Sequence, residues 1–310
     1  MNEELKLKIT NILKFTLRIL LGAYFITSAI LKLLSLDTFE LYIYSFKIFS
    51  FNFSTIIARL VITCEILAGS LLIAKIRYRE AWWLTMLMLI GFTLLLCYTA
   101  IFRDDQNCHC MGELVQIKPS LSIVKNIVTI ALLLLIRKEQ DYNFKIKNIV
   151  LGIIIAISII IPFAIFPTDS IYNLVKKNPK SVHEATFNGF LQDSAMRDIN
   201  IDHGNYIVGV LSSGCEFCRI SGIKIREIAE NNNIDNNNIL FFIWGDKQSI
   251  DNFKKETKTE GFKYVYIDPV TAVRMVNGSF PTYIFTTDGD VVKTVNLRQL
   301  TEKDVKNHLK

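Results

Sequence analysis

The chain has 310 residues, of which 51% are hydrophobic and 21% charged, and its net charge is +6. This composition excludes an intrinsically disordered chain, a collagen-like chain and a small disulfide-stapled domain. All of the excess positive charge lies before residue 168, in the apolar half of the chain, where it indicates membrane topology and argues against a nucleic-acid partner.

Five apolar stretches precede residue 168, and each is long enough to cross the hydrocarbon core of a lipid bilayer. We therefore predict an α-helical membrane bundle of five transmembrane helices. A four-helix unit occupies residues 1–140, and a fifth, tethering helix with its linker occupies residues 141–180. The predicted spans are residues 12–34, 54–74, 81–102, 120–136 and 148–167.

The basic residues of the loops predict the orientation, because they gather on the cytoplasmic side of a membrane. The rule places the N-terminus in the cytoplasm, and the loop at 103–119 and everything after Pro167 outside it. We expect a multi-pass protein of the bacterial inner (cytoplasmic) membrane with a periplasmic C-terminal domain. The cytoplasmic set is Lys6, Lys8, Lys14, Lys75, Arg77, Arg79, Arg137, Lys138, Lys145 and Lys147, and the opposite loops hold Lys47, Arg103 and Lys118.

The pattern changes to that of a soluble α/β domain in residues 181–310, after a connector at 168–180. Short apolar strands alternate with helices and end in a hairpin with a turn at Asp288–Gly289, which predicts a mixed sheet with helices on both faces. The predicted strands are 206–211, 239–244, 263–267, 282–287 and 291–295, and the predicted helices are 216–230, 247–258 and 301–309.

A CxxC motif, Cys215-Glu-Phe-Cys218, follows the first of these strands and opens a predicted helix. A helix N-terminus favours the reactive thiolate, so the placement is typical of a thioredoxin-like redox motif. The alternatives are a structural disulfide and half of a zinc site. A zinc site would need a second ligand pair, whereas His183, His203 and His308 are scattered.

Phe280-Pro281-Thr282 stands directly before a predicted strand, 66 residues after Cys215. With the CxxC motif, it makes residues 182–310 resemble the thioredoxin fold, in which a cis-proline lies beside the reactive pair. The resemblance implies that role and a cis bond for Pro281. Gly214 replaces the usual Trp, and Glu-Phe replaces Gly-Pro, so the redox potential and direction are not carried over.

A second motif, Cys108-His109-Cys110-Met111-Gly112, lies in the predicted outer loop. A disulfide between residues two apart closes a very small ring and is expected to be strained, which favours a labile redox pair over a structural bridge. The alternative is Cu(I) binding by Cys108, His109, Cys110 and Met111, all of them good ligands for a soft metal.

Residues 8–136 resemble the MauE branch of the DoxX-like membrane proteins. The resemblance rests on the four spans and on the C-x-C loop followed by Gly112, although Met111 stands where Phe is usual. It implies a membrane protein that makes or handles disulfides outside the cytoplasm, in a family originally tied to maturation of methylamine dehydrogenase. Further matching positions are Arg18, Lys32, Arg59, Glu65 and Asn126.

Glu65 is costly in lipid, and it must therefore face the interior of the bundle. We predict Arg18, or alternatively Arg59, as its partner, either in a structural ion pair or in proton handling coupled to thiol chemistry. Lys32 and Lys125 lie near span ends and are expected to snorkel to the outer interface. Cys64 and Cys97 are expected to be packing residues, with a relay role for Cys97 as the alternative.

These motifs predict a thiol–disulfide relay between Cys215–Cys218 and Cys108–Cys110 on the outer face, with Cys215 as attacking and Cys218 as resolving thiol. Its expected partners are exported proteins with cysteine pairs and a lipid-soluble carrier, which we expect to be a quinone. The direction of electron flow stays open. The alternatives are a copper-handling protein and a non-catalytic receptor.

Overall fold

The computed structural model describes residues 3–310 apart from 104, 106, 114, 138, 140, 144, 170, 173–181, 197, 198 and 200. The chain divides into two compact units. The first unit comprises Met1–Ile43 and Thr55–Pro167, and the second comprises Tyr44–Ser54 and Thr168–Lys310. The predicted connector at 168–180 lies largely outside the described residues.

Apolar helices build the first unit. Among the described residues, four helices are long and apolar enough to cross a membrane, and α5, with 17 residues, is slightly shorter. Each predicted span falls on a helix, whereas five membrane crossings stay a prediction. The sequence missed the short α2. The helices are α1 (Glu3–Leu34), α2 (Leu36–Tyr44), α3 (Phe51–Ala74), α4 (Tyr78–Phe102), α5 (Pro119–Leu135) and α6 (Lys147–Ile160), which continues as a π-helical turn, Ile161–Ile165.

Helices α1 and α3 pack closely through two glycines. A Cβ atom on Gly22 would overlap the carbonyl oxygen of Gly69, and one on Gly69 would overlap that of Gly22. Small residues permit such close approach between apolar helices. One turn away, Arg18 donates hydrogen bonds to the carbonyl oxygens of Leu72 (3.0 Å) and Ile73 (2.9 Å), in the last turn of α3.

The far end of α6 is fixed beside the beginning of α3. Arg59 donates to the carbonyl oxygens of Phe166 (2.9 Å) and Pro167 (3.1 Å), and it also forms a buried ion pair with Glu40. This is the end of the bundle at which residues 103–118, here called the CxC loop, connect α4 to α5. The chain therefore leaves the first unit at the end that carries Cys108 and Cys110.

A five-stranded mixed sheet forms the centre of the second unit, in the order β3-β2-β1-β4-β5. Strand β1 is parallel to β2 and antiparallel to β4, β2 is parallel to β3, and β4 is antiparallel to β5. The sequence predicted this mixed sheet. The strands are β1 (Asn205–Ser212), β2 (Ile239–Trp244), β3 (Lys263–Tyr266), β4 (Thr282–Thr287) and β5 (Asp290–Asn296).

Helices cover both faces of this sheet. On one face, Phe187 and Met275 pack in a cluster with Val210 and Phe242. On the other face, the hydroxyl of Tyr283 donates to Ser221 Oγ at 3.1 Å and ties β4 to α8. The sequence missed α7 and α10. The helices are α7 (Glu184–Leu191), α8 (Glu216–Asn232), α9 (Lys247–Thr257), α10 (Pro269–Met275) and α11 (Glu302–Leu309).

Residues 44–50 precede α3, and residues 51–54 are its first four residues. All of them nevertheless belong to the second unit. The ammonium of Lys224 lies 4.3 Å from the centre of the Phe51 ring, and the Phe51 N–H donates to Glu302 at 3.0 Å. Lys224 is buried and also pairs with Asp169 at 2.9 Å. The second unit is thus built from two separated stretches of the chain.

Candidate redox sites

The first candidate site is Cys215–Cys218, at the point where β1 leads into α8. Cys215 is the N-cap of α8, and its sulfur accepts a hydrogen bond from the Cys218 N–H at 3.3 Å. Cys218 is fully buried, and its sulfur accepts from the Ser212 N–H at 3.5 Å. Cys215 is only partly buried. One sulfur is therefore accessible to a reaction partner, while the other is enclosed one helical turn further on.

The two thiols of this pair differ in acidity. The hydrogen bond with Cys218 lowers the pKa of Cys215 to about 6, against the effect of burial, and the backbone N–H groups of Cys218 and Phe217 and the charge of Arg219 add to the lowering. The same hydrogen bond and burial raise the pKa of Cys218. Cys215 is therefore equipped as the nucleophile and Cys218 as the thiol that stays protonated until it is needed.

Pro281 lies at the same end of the sheet as the cysteine pair. Thr282, its neighbour, pairs with Val210 of β1, whose next residues lead into Cys215. The Phe280–Pro281 bond is cis, which confirms the bond geometry predicted for it. The catalytic role of Pro281 stays a prediction.

The second candidate site is the CxC loop. Cys108 is 3% exposed, its sulfur lies 3.0 Å from Ser122 Oγ, and its N–H donates to the Ile117 carbonyl oxygen at 2.9 Å. The Cys110 N–H donates to the Cys108 sulfur at 3.3 Å, and Cys110 is partly exposed. Gly112, at φ +68°, approaches the Leu31 carbonyl so closely that a Cβ would not fit. Each of the six cysteines is a free thiol.

The acidity of the CxC pair is divided in the same way as that of the CxxC pair. A hydrogen bond from the Cys110 thiol lowers the pKa of Cys108 to about 6, with help from Ser122 and opposed by burial. The hydrogen bond to Cys108 and burial raise the pKa of Cys110. Each motif therefore contains one acidic thiol and one whose proton is retained.

A buried cation holds the CxC loop on the end of α1. The ammonium of Lys32 donates to the Cys110 carbonyl oxygen at 2.5 Å, to both Glu65 oxygens at 2.7 and 3.0 Å, and to Ser28 Oγ at 2.6 Å. Ser28 also donates to the Cys110 carbonyl oxygen at 2.9 Å. A cation with four acceptor atoms from three residues meets the requirement that a buried charge be paired and hydrogen-bonded.

This arrangement corrects three predictions. The partner of Glu65 is Lys32, because Arg18 and Arg59 are engaged elsewhere. Arg18 lies near the middle of α1, where it approaches Glu139 at 3.5 Å, and Arg59 pairs with Glu40. Lys32 does not snorkel, since it is 1% exposed. Ser28 and Lys32 stand four residues apart and therefore lie on one helix face. This spacing was the sequence signal for a polar cluster around Glu65.

The remaining intramembrane candidates are Asn126, Lys125, Cys64 and Cys97. Asn126 is buried, and its amide donates to Thr93 Oγ1 at 3.2 Å. Lys125 is partly buried, with its ammonium 5.4 Å from the Tyr24 ring centre, so it is not simply directed to an interface. Cys64 and Cys97 are partly buried free thiols. The functional roles of all four residues stay predictions.

The copper alternative stays a prediction. Among the described parts of the chain, no group of three or more His, Cys, Asp or Glu side chains is arranged to hold a metal ion. His109 instead places Nδ1 3.3 Å from a Glu113 oxygen and packs its ring against Tyr42, with centroids 4.6 Å apart.

Apolar helices and a loop with two thiols define the first unit as that of a membrane protein. Residues 10–137 match the family model of the methylamine utilisation protein MauE, which confirms the resemblance predicted for this region. The whole chain is similar to Protein TlpB of Flavobacterium psychrophilum, with 26% identity over 337 aligned positions that cover 93% of this chain and 92% of the relative. No solved structure matches the chain.

Proposed function

We propose that this protein is a membrane-bound thiol–disulfide oxidoreductase that relays electrons between Cys215–Cys218 and Cys108–Cys110 while handling disulfides of exported proteins. The MauE match and the similarity to TlpB support a membrane-associated role in redox or disulfide chemistry. The observation that carries the proposal is a geometry shared by the two motifs: the Cys218 N–H donates to the Cys215 sulfur at 3.3 Å, and the Cys110 N–H donates to the Cys108 sulfur at 3.3 Å. In each motif the pKa of the accepting thiol is lowered and that of its neighbour is raised.

A thioredoxin-like role of the second unit is supported by the position of its thiols. Cys215 caps a helix that follows a central strand, and cis-Pro281 precedes the strand beside it. In the proposed oxidising direction, a client thiolate attacks the Cys215–Cys218 disulfide at Cys215, and Cys218 leaves. A second client thiol then attacks the mixed disulfide and releases Cys215, so the client gains a disulfide and the protein two thiols.

The electrons then pass to the CxC pair by a second exchange. Cys215 attacks the Cys108–Cys110 disulfide at Cys110, the more exposed of the two residues, and Cys108 leaves as a thiolate. The low pKa of Cys108 makes it the better leaving group. Cys218 attacks Cys215 in turn, which restores the CxxC disulfide and leaves Cys108 and Cys110 reduced.

Both motifs are proposed to work on the extracytoplasmic side. The basic loops predict that side for the CxC loop, and α6 leads out of the first unit at the same end of the bundle. An impermeant thiol reagent applied to intact spheroplasts should label Cys110 and Cys215. Labelling of only one of these two cysteines would contradict the proposal that both motifs lie on the same side of the membrane.

Trapping tests the relay directly. Treated with diamide as the two-electron oxidant, the double variant Cys218→Ala/Cys108→Ala, in the full chain, should accumulate a Cys215–Cys110 disulfide, which mass spectrometry of proteolytic fragments detects. The matched variant Cys218→Ala/Cys110→Ala should give less of the Cys215–Cys108 adduct, because the Cys108 sulfur is buried. If neither variant forms an adduct between Cys215 and the loop, the intramolecular relay is wrong.

A further inference from the structure

A cavity in the first unit lies directly beside the CxC pair. Its empty volume, including the part open to the surface, is about 530 Å³, and the sulfur-bearing residues Cys108 and Cys110 both line it. Lys125 and Asn126 of α5 contribute polar groups, as do Ser28 and the Lys32–Glu65 ion pair, and the remaining wall is apolar and aromatic. The apolar wall includes Phe25, Phe39, Leu89, Phe92, Leu95 and Leu96. The relay does not use this space.

Part of the apolar wall is also surface of the helix bundle. Leu95 lines the cavity and is 37% exposed, and Phe92 is partly exposed on the same helix, α4. The surrounding surface of α4 is apolar, with Leu87 61% and Leu94 66% exposed. Because α4 is apolar enough to cross a membrane, a molecule that enters past Leu95 would come from hydrocarbon and not from water. The cavity therefore suits a lipophilic ligand.

The polar side of the cavity suits a ligand that becomes negatively charged as it reacts. The Lys125 ammonium supplies a positive charge. Lys125 lines the cavity, and its ammonium lies 5.4 Å from the ring centre of Tyr24, which lines the cavity as well. A fixed cation in a site that excludes water stabilises developing negative charge strongly. Oxidising two thiols to a disulfide releases two electrons, and the relay must pass them on. A lipophilic acceptor of two electrons with oxygens that take up protons is a quinone.

We propose that this cavity binds the ring of a membrane quinone, which oxidises Cys108 and Cys110. The inference rests on the proposed relay and names its terminal electron acceptor. A bond forms between the two sulfurs and the Cys110 S–H bond breaks. Two electrons pass to the quinone, whose oxygens take the Cys110 proton and a second proton from water, so the products are one disulfide and one hydroquinone.

The quinone step can be measured apart from the relay. The full-length variant Cys215→Ser/Cys218→Ser is placed in lipid nanodiscs, reduced, freed of reductant and mixed with decylubiquinone or, in a second arm, with a short-chain menaquinone. We expect at least one of these quinones to be reduced, with one quinone consumed per pair of Cys108 and Cys110 thiols lost. Removing these two cysteines as well should abolish the reaction.

A variant that fills the cavity tests its location. Leu95→Trp should slow quinone reduction about tenfold, since it adds volume to a confined space. Leu94→Trp, its neighbour on the exposed side of α4, is the matched control and should react as fast as the parent. Alkylation of Cys108 by iodoacetamide should be unchanged in both variants, which shows that the loop is intact.

Three outcomes would overturn the inference: no reduction of either quinone, equal reduction without Cys108 and Cys110, or equal rates for Leu95→Trp and the parent. A Cys215–Cys110 adduct obtained with the separate trapping variant Cys218→Ala/Cys108→Ala would leave the relay standing, because trapping needs no quinone. Failure of the relay would conversely leave the quinone step measurable in the variant that lacks the CxxC cysteines.

Discussion

The ammonium of Lys32 lies 2.5 Å from the carbonyl oxygen of Cys110, although the two residues are 78 positions apart in the chain. The same ammonium contacts Glu65 at 2.7 Å, so α1, α3 and the CxC loop meet at one buried cation. The backbone of a reactive cysteine is thus held by a charge that itself depends on a carboxylate. A substitution that removes this charge should therefore displace the CxC loop and also destabilise the helix bundle.

We expect Lys32→Met to destabilise the protein by about 3–5 kcal/mol, because it leaves the Glu65 charge buried without a partner. Thermal unfolding in detergent measures the change. Lys8→Met is the matched control: the Lys8–Glu4 pair is exposed, and its loss should have little effect. If Lys32→Met does not fold, Lys32→Met/Glu65→Gln should recover folding, since no unpaired charge remains. Equal stability of Lys32→Met and Lys8→Met would contradict this account.

Ser122→Ala should raise the pKa of Cys108 by about one unit, because the thiolate loses its hydrogen bond from the Ser122 hydroxyl. The pH dependence of Cys108 alkylation in the reduced protein measures the pKa. Ser120→Ala removes a hydroxyl from an exposed position on the same helix turn and should leave the profile unchanged. An unshifted midpoint in Ser122→Ala would show that the hydroxyl does not stabilise the thiolate.

In the reduced protein, alkylation of Cys215 should rise through a midpoint near pH 6 and then level off, because only the thiolate reacts. Cys218→Ala removes the largest cause of the lowering, and the midpoint should therefore move to higher pH. At pH 7 the variant should react several-fold more slowly. Cys64→Ala, which removes a thiol from the other unit, is the control and should leave the midpoint unchanged.

Gly112→Ala should destabilise the CxC loop by about 1–3 kcal/mol, because φ is +68° and the Leu31 carbonyl leaves no room for a methyl group. Gly91→Ala in α4 is the matched control. A Cβ there meets nothing within 4 Å, and alanine should stabilise the helix by up to about 1 kcal/mol. Thermal unfolding and the alkylation rate of Cys110 distinguish the two, and a stable Gly112→Ala with an unaltered loop would refute the close-contact argument.

The CxxC site was predictable because its geometry is local. A strand, three residues and a helix N-terminus place Cys215 and Cys218 within one turn, and no distant contact is needed to define their roles. The strands and main helices of the second unit followed from short apolar runs and polar turns in the same way. The missed helices α7 and α10 have eight and seven residues, too few for a clear period.

The partner of Glu65 was not predictable from span boundaries, because helices in one bundle do not end at one level. Lys32 lies two residues from the end of α1, whereas α3 extends from Glu65 back to Phe51, about 21 Å along the axis. The prediction treated Lys32 as an interfacial residue and Glu65 as a deep one. The CxC loop fills the space beyond the end of α1, which is why Cys108 is buried and Cys110 is only partly exposed.

The participation of residues 44–54 in the second unit bears on how this protein can be divided for biochemical work. A fragment beginning near residue 180 would lack both Phe51 and Asp169, so the buried Lys224 would lose its carboxylate and its aromatic neighbour. Truncation after residue 167 would in turn strip the 44–54 stretch of its contacts with Glu302 and Asn231. A soluble version of the second unit that keeps these contacts would need residues 44–54 joined ahead of Thr168. Reduction potentials measured on residues 180–310 alone would be those of a domain without these contacts.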